Sequence, residues 1–131
     1  MNCSTKFVIK VQRSIEKLSR TSEVKPECLE WFGCTDREGY PVKRVTWPSG
    51  KCTQSRVQRL VMMLSTGTEL AEVDRHGHPM DVSHLCHNKL CIREKHLTIE
   101  PHHVNTGRRQ CVARGSCLGH EPACIFIFGC R

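Results

Sequence analysis

The chain has 131 residues, a length that suits one domain and is short for two. Hydrophobic residues make up 38% of it and aromatic residues 5%, which excludes a large apolar core. Ten cysteines therefore indicate that disulfides or metal ions stabilise the fold. The formal net charge of +7 favours a polyanionic partner such as nucleic acid.

The N-terminal segment MNCSTKFVIKVQRS contains a short apolar run that Lys10 interrupts. We therefore expect no signal peptide, and no stretch of the chain is apolar enough to span a membrane. We expect an intracellular protein, located in the nucleus if the host is a eukaryote. Without an export signal, and with histidines among the cysteines, zinc is favoured over disulfides.

The first predicted element is an amphipathic helix over residues 7–20. Val8, Val11, Ile15 and Leu18 follow one another at steps of three or four residues, which places them on one helical face. A polar stretch then separates this helix from the rest of the chain.

The remaining elements alternate between strands and helices. Residues 39–47 alternate as a strand does, and the turn PSG leads into KCTQSR, so the pair predicts a basic hairpin. Residues 55–65 predict a second helix. A turn at 76–79, a strand at Leu97–Ile99 and a helix after Pro101 follow. This order predicts an α+β fold.

The cysteines and histidines of the second half form two groups with short spacings. The first group has three members, each five residues from the next: Cys86, Cys91 and His96. A tetrahedral zinc site needs a fourth ligand, which Cys28, Cys34 or Cys52 could supply.

The second group is already a complete set of three cysteines and one histidine. Its members are Cys111, Cys117, His120 and Cys124. Short loops between ligands close with little loss of entropy, so the sequence predicts two structural zinc ions. Cys3 and Cys130 are predicted to be ordinary thiols.

Two adjacent segments carry a family resemblance. SHLCHNKLCIREKHL (83–97), followed by HHVNTGRRQC (102–111), resembles the His-Cys box of homing endonucleases, the zinc-bound branch of the HNH or ββα-metal nuclease superfamily. A weaker similarity to phage HNH nucleases covers CLEWFGCTDREGYPVKRV (28–45). The resemblance implies a small zinc-stapled ββα-metal (His-Me finger) domain over 26–131. An N-terminal helix and linker over 1–25 and a short antiparallel sheet complete one compact domain.

The resemblance also implies which residues form the site. The family's general base stands two residues before the first box cysteine, which is His84, and its metal-binding asparagine lies 21 residues further on, which is Asn105. Cys28 matches the cysteine that completes the first zinc site, and Cys34 is the second candidate. Lys51 takes the place of an arginine that contacts the scissile phosphate, although a lysine gives up bidentate contact.

The activity that the resemblance implies is magnesium-dependent hydrolysis of double-stranded DNA, with a homodimer expected because two strands are cut. A neutral histidine accepts a proton from water near pH 7, and the amide oxygen of Asn105 suits a hard ion such as Mg2+. Arg56 is a second candidate for the phosphate contact. The side chains expected to bind DNA are those of Lys43, Arg44, Arg56, Arg108 and Arg109.

Two other functions fit the same sequence. A non-catalytic, zinc-stabilised DNA-binding module of the same fold would keep the charge and the zinc sites. A zinc-stabilised protein-interaction domain would need neither His84 nor Asn105. Among the other polar residues, Asp81 is expected to be a loop aspartate, with a weaker alternative in which it orients His84. His87, His102 and His103 are expected at the surface or against phosphates.

Overall fold

The computed structural model describes residues 5–68 and 70–126, so Cys3 and Cys130 lie outside the described residues. The elements in chain order are α1 (Thr5–Lys17), β1 (Ser19–Thr21), β2 (Leu29–Trp31), β3 (Val42–Thr46), β4 (Cys52–Arg56), α2 (Val57–Thr66), β5 (Met80–His84), a 3-10 turn (Glu94–His96), β6 (Leu97–Pro101) and α3 (His102–Arg114). The strands pair into antiparallel two-stranded sheets: β1 with β2, β3 with β4, and β5 with β6.

α1 buries one face because Phe7, Val11 and Ile15 recur every four residues. The helix ends before the predicted boundary at residue 20. Beyond Lys17 the chain turns into β1, which pairs with β2 along its whole length. The predicted end of the helix is therefore wrong, because pairing with β2 outweighs the local helical pattern.

The main core lies between α1, α2 and the β3–β4 hairpin. Its buried side chains come from all three, together with β2 and the loop before the 3-10 turn: Phe7, Val11, Ile15, Trp31, Val45, Val57, Leu60, Met63 and Ile92. Phe7 also stacks on Trp47, with ring centroids 5.3 Å apart. The hairpin and the second helix, both predicted from the sequence, thus pack against α1.

β5, β6 and α3 form the ββα unit that carries the candidate site. The register pairs His84, the last residue of β5, with Leu97, the first residue of β6, so residues 85–96 form a loop at the end of this ribbon. α3 follows β6 directly and ends at Arg114. The next residue, Gly115, has a φ of 81° and so takes the left-handed conformation that glycine adopts without strain.

The predicted α+β class, with an N-terminal helix and short antiparallel sheets, is confirmed. None of the helices in the described part of the chain is long and apolar enough to cross a membrane.

Candidate active site and zinc centres

The first zinc centre brings together Cys28, Cys86, Cys91 and His96, all of them buried. Their ligand atoms lie within 4.8 Å of one another, and Nδ1 of His96 is 3.7 Å from Sγ of Cys28 and 3.4 Å from Sγ of Cys91. A tetrahedral zinc ion, with bonds of about 2.3 Å to sulfur and 2.0 Å to nitrogen, separates such atoms by about 3.5 Å. The residues therefore fit a structural zinc ion.

Backbone pairing brings the distant Cys28 to this centre. Cys28 directly precedes β2, and β2 bonds to the loop after β5: Trp31 donates its N–H to the Leu90 carbonyl at 2.9 Å, and Ile92 donates to the Leu29 carbonyl at 2.8 Å. The two other candidates, Cys34 and Cys52, are exposed. Of the three cysteines that the sequence offered, the structure places Cys28 with the group.

Burial makes the first centre depend on a cation. It raises the pKa of the Cys28 thiol to about 11, with a further contribution from the nearby Cys91 thiol. A thiolate at this position is therefore stable only beside a compensating positive charge, which a divalent ion supplies.

The second zinc centre joins the last turn of α3 to the segment that follows it. Nδ1 of His120 lies 3.3 Å from Sγ of Cys111 and 3.6 Å from Sγ of Cys117, and Cys124 completes the set within 4.8 Å. These separations again match the edges of a zinc tetrahedron, at about 3.5 Å. All eight cysteines that the structure describes are free of disulfides.

Arg108 supports the second zinc centre from the interior. It is 2% exposed, and its guanidinium donates to both carboxylate oxygens of Glu100 at 2.6 and 2.7 Å. It also donates to Sγ of Cys124 at 3.2 Å. The expectation that Arg108 contacts DNA phosphates is therefore wrong, because its donors are occupied inside the protein. The neighbouring Arg109 is exposed.

The contrast between these two arginines gives a stability prediction. Arg108→Met leaves the Glu100 carboxylate buried without its partner, and we expect a loss of about 3–5 kcal/mol in the free energy of unfolding. Arg109→Met should change it by less than about 0.5 kcal/mol. Denaturant unfolding of zinc-saturated protein checks both values. Equal, small effects would contradict the structural role of Arg108.

His84 ends β5 beside the first zinc centre. Its ring stacks on that of Tyr40, with centroids 6.0 Å apart and planes inclined by 23°. Burial lowers the pKa of His84 to about 4, with smaller contributions from the charges of His87 and Arg56, while a hydrogen bond to the Cys91 backbone acts against the shift. The imidazole is therefore neutral at neutral pH.

One ring nitrogen of His84 is left unpaired. Nε2 is buried and has no hydrogen-bond partner among the described residues, so the bond to the Cys91 backbone falls to Nδ1. Because that bond favours the protonated ring, Nδ1 is the donor and a carbonyl the acceptor. This tautomer leaves the lone pair of Nε2 free, as a general base requires.

Asn105 lies in the first turns of α3 and is held by Asp81. Its Nδ2 donates to Oδ2 of Asp81 at 2.8 Å, and Nδ1 of His102 donates to the same oxygen at 2.6 Å. Although burial alone would raise it, these bonds and the nearby charges lower the pKa of Asp81. Asp81 belongs to β5 and not to a loop, and it contacts Asn105 and His102 instead of orienting His84.

His84, Asp81, His102 and Asn105 line one cavity of about 640 Å³ between the ββα unit and α2. Its cationic side chains are those of Arg56, Arg59, Lys89, Arg108 and Arg109. Arg108 is paired with Glu100, and Arg56 with Asp36 and Glu38. Three further basic side chains, those of Arg59, Lys89 and Arg109, still face this space, and such a wall attracts phosphate.

Lys51 does not line this cavity and lines instead an adjoining one beside Trp47; the two cavities share Arg56 and Arg59. Lys51 precedes β4 and Arg56 ends it, and Arg56 is the one of the two that lines the cavity with His84. The structure therefore does not support the expectation that Lys51 contacts the same phosphate as His84. Arg56 bonds to Asp36 at 3.1 Å and to Glu38 at 3.3 Å.

Lys43 and Arg44 lie on β3 and line neither cavity. Arg44 is exposed, and its Nε donates to Sγ of Cys52 at 3.0 Å, whereas Lys43 is half-buried. Their predicted contact with DNA stays a prediction.

Several residues of the cavity were not selected from the sequence. The ring of Tyr40 contacts two cationic groups: the Arg56 guanidinium lies 4.2 Å from the ring centroid, and Nζ of Lys89 lies 5.0 Å from it. The same ring stacks on His84. Arg59, on α2, faces the same space. In the sequence, Tyr40 lies within the segment that resembles phage HNH nucleases and Arg59 within the predicted second helix, but neither position indicated proximity to His84.

The fold and the two three-cysteine, one-histidine centres together define a zinc-stapled His-Me nuclease type of domain. A family model described as the zinc-binding loop region of homing endonuclease matches residues 34–131, well over half of the chain. The chain therefore belongs to this homing endonuclease family, as predicted, which implies DNA binding and a nuclease-related domain. A search of curated proteins found no match. Cys28 lies outside the matched range, although it completes the first zinc centre.

Proposed function

We propose that this protein is a magnesium-dependent endonuclease that hydrolyses phosphodiester bonds of double-stranded DNA. The observation that supports it best is the buried, unpaired Nε2 of His84 in the cavity that also holds Asn105. A neutral base and an amide oxygen around one basic cavity are what phosphodiester hydrolysis requires. Residues 26–131 would form the nuclease domain, and residues 1–25 the N-terminal helix and linker.

His84 would act as the general base. Nε2 takes a proton from a water molecule, whose oxygen then forms a bond to phosphorus as the bond to the 3′ oxygen breaks. The donor bond of Nδ1 to the Cys91 backbone keeps the ring oriented. A bound phosphate would raise the pKa of His84 from its low value, since a nearby anion favours the protonated ring.

Arg56 would hold the phosphate during this step. Its Nε and Nη2 bond to Asp36 and Glu38, while Nη1 donates to none of the described residues. The acidic pair orients the guanidinium, and the Tyr40 ring supports it from one side. A donor fixed in advance stabilises the charge that develops at phosphorus without reorganisation.

Asn105 fits a magnesium ion through its amide oxygen, because oxygen donors with several retained waters are the usual environment of Mg2+. Oδ1 of Asn105 accepts no hydrogen bond from the described part of the chain, whereas Nδ2 is bound to Asp81. When bound there, Mg2+ would neutralise charge on the phosphate and on the leaving oxygen.

DNA would lie across the basic wall of the cavity, with Arg109 contacting the backbone and Lys43 and Arg44 reaching the duplex from β3. Cutting both strands would require two sites, for which a homodimer is the simplest arrangement. The spacing of the box resembles that of the intron-encoded rDNA endonuclease of slime moulds, which suggests a homing role and an intracellular, in eukaryotes nuclear, location.

The second candidate is a non-catalytic DNA-binding module of the same fold. Lys51, in place of arginine and away from His84, favours it, because the phosphate contact expected from the family is absent at that position. Retention of both His84 and Asn105 in one cavity favours the enzyme.

Incubation of zinc-loaded protein with supercoiled plasmid separates the two functions. With Mg2+ we expect nicked and then linear DNA, and neither product when EDTA is added briefly enough to spare the buried zinc. A zinc assay on the EDTA-treated protein provides the control. Retention of plasmid on a gel without nicking would support the binding module and contradict the proposed activity.

The phosphate contact gives a second test. Arg56→Ala should lower the cleavage rate by about 10²–10³-fold, the usual cost of losing one oriented donor at the reacting group. Lys51→Ala, which removes a charge from the neighbouring cavity, should leave the rate nearly unchanged. Single-turnover cleavage at saturating protein compares them. If Lys51→Ala lowered the cleavage rate more than Arg56→Ala, Lys51 and not Arg56 would be the residue that contacts the phosphate.

A further inference from the structure

Asp81 lies at the centre of a hydrogen-bonded group at the edge of the cavity. Its Oδ2 accepts from Nδ2 of Asn105 at 2.8 Å and from Nδ1 of His102 at 2.6 Å. The strand register places Asp81 opposite Glu100, and α3 begins two residues later. His102 and Asn105 are three residues apart on one helical face, so both reach the same carboxylate.

This carboxylate decides which way the Asn105 amide faces. An ionised carboxylate only accepts hydrogen bonds, so the NH2 group of Asn105, and not its oxygen, must face Asp81. Oδ1 is thereby directed away from the carboxylate, and no described residue donates to it. If the carboxylate were replaced by a group that also donates, the amide could turn over and present nitrogen to the cavity.

Asp81 also supplies a negative charge to a cavity whose charged side chains are mostly basic. The basic side chains on the walls suit phosphate but repel a divalent cation. In the described structure the acidic residues lining the cavity are Glu38 and Asp81. Glu38 is paired with Arg56 at 3.3 Å, which leaves Asp81 as the carboxylate that can offset this repulsion beside Asn105.

We propose that Asp81 is a positioning residue for a divalent cation site, holding Asn105 with its oxygen toward the ion and lowering the electrostatic cost of binding. The chemical class is a hard cation such as Mg2+ or Mn2+. The inference rests on the proposed function in one respect, the use of Asn105 as the protein ligand. It adds a residue that decides cation affinity.

A titration of the zinc-loaded full chain with Mn2+, followed by electron paramagnetic resonance of the free ion, tests the inference. Asp81→Asn should weaken Mn2+ binding by about 10- to 100-fold, as is usual for partners that orient a ligand. The exchanged variant, with Asp81→Asn and Asn105→Asp together, keeps both the bonded pair and its charge. It should recover most of the lost affinity.

Glu72→Gln is the control, since it removes one exposed carboxylate from the other cavity and should leave the Mn2+ affinity nearly unchanged. Melting curves and zinc content show that each variant is folded, and a purely structural role would move those readings but not the affinity. Unchanged Mn2+ affinity in Asp81→Asn, or no Mn2+ binding by the wild type, would overturn the inference.

The plasmid assay distinguishes a failure of this inference from a failure of the proposed nuclease function. In cleavage, Asp81→Asn should need more Mg2+ for half-maximal rate, by about the same 10- to 100-fold factor. If the wild type binds Mn2+ in an Asp81-dependent way but cuts no DNA, the cation site stands and the nuclease function fails. If it cuts DNA while Asp81→Asn binds Mn2+ normally, the function stands and the positioning role fails.

Discussion

Replacement of His84 by alanine is expected to lower the rate of DNA cleavage by about 10²–10⁴-fold, the usual contribution of a general base. The effect should fall on the chemical step, because Nε2 of His84 is buried and has no hydrogen-bond partner among the described residues. DNA affinity and zinc content should stay near those of the wild type, because Cys86 and Cys91 are untouched. Single-turnover cleavage, gel retention and a zinc assay measure the three quantities.

His87 provides the matched control for this variant. It lines the same cavity, and its Nε2 is also buried without a described partner. Its φ of 59° is left-handed, so asparagine, which tolerates that conformation, is the appropriate substitute. His87→Asn should cut at a rate close to that of the wild type.

Added imidazole gives a further check on the role of His84. In His84→Gly, imidazole in solution should restore part of the cleavage rate, since it can enter the space that the side chain leaves. If His87→Asn lost as much cleavage as His84→Ala, the assignment of the general base to His84 would be contradicted in favour of His87. Undiminished cleavage by His84→Ala would exclude His84 as the base.

Replacement of Cys28 by serine is expected to remove one of two zinc ions and to unfold the part of the chain around the first centre. Zinc binding contributes on the order of 10–16 kcal/mol in small zinc domains, and serine is a poor ligand for this ion. The loss should include the bonds between β2 and the loop after β5, because Cys28 is joined to them. Zinc per chain and thermal unfolding measure the outcome.

Cys34→Ser tests whether the change belongs to the first centre. Cys34 is exposed and belongs to neither group of metal-binding residues, so this variant should keep two zinc ions and the wild-type melting temperature. Cys111→Ser should also lose one ion, but from the second centre. Two zinc ions in Cys28→Ser and one in Cys34→Ser would reverse the assignment of the fourth ligand.

The zinc centres and the elements around them were largely predictable from the sequence. A close spacing such as that of Cys86 and Cys91 predicts a shared metal ion by itself, because a short loop can place both ligands on one ion whatever the rest of the chain does. The helical spacing of the residues that α1 buries is equally local. These features need only neighbours in sequence, and the structure confirms them.

The end of α1 was not predictable in the same way. Ser19–Thr21 could continue the helix according to its local pattern, yet it pairs with Leu29–Trp31. The fourth ligand of the first centre was likewise open among three cysteines until the pairing of β2 brought Cys28 to the group. Both outcomes depend on which other segment a strand pairs with, and the local pattern of that strand does not show this.

The sequence by itself determined the zinc ligands with short spacings and the α+β order of elements. Through the family resemblance it also singled out His84 and Asn105 as candidate site residues. Only the tertiary structure decided that Arg108 is buried against Glu100, that Arg56 and not Lys51 faces His84, and that Asp81 holds Asn105. The physical reason is that a charged side chain has the same local pattern whether it meets solvent, phosphate or a buried partner. Which of these it meets depends on the segments that fold against it.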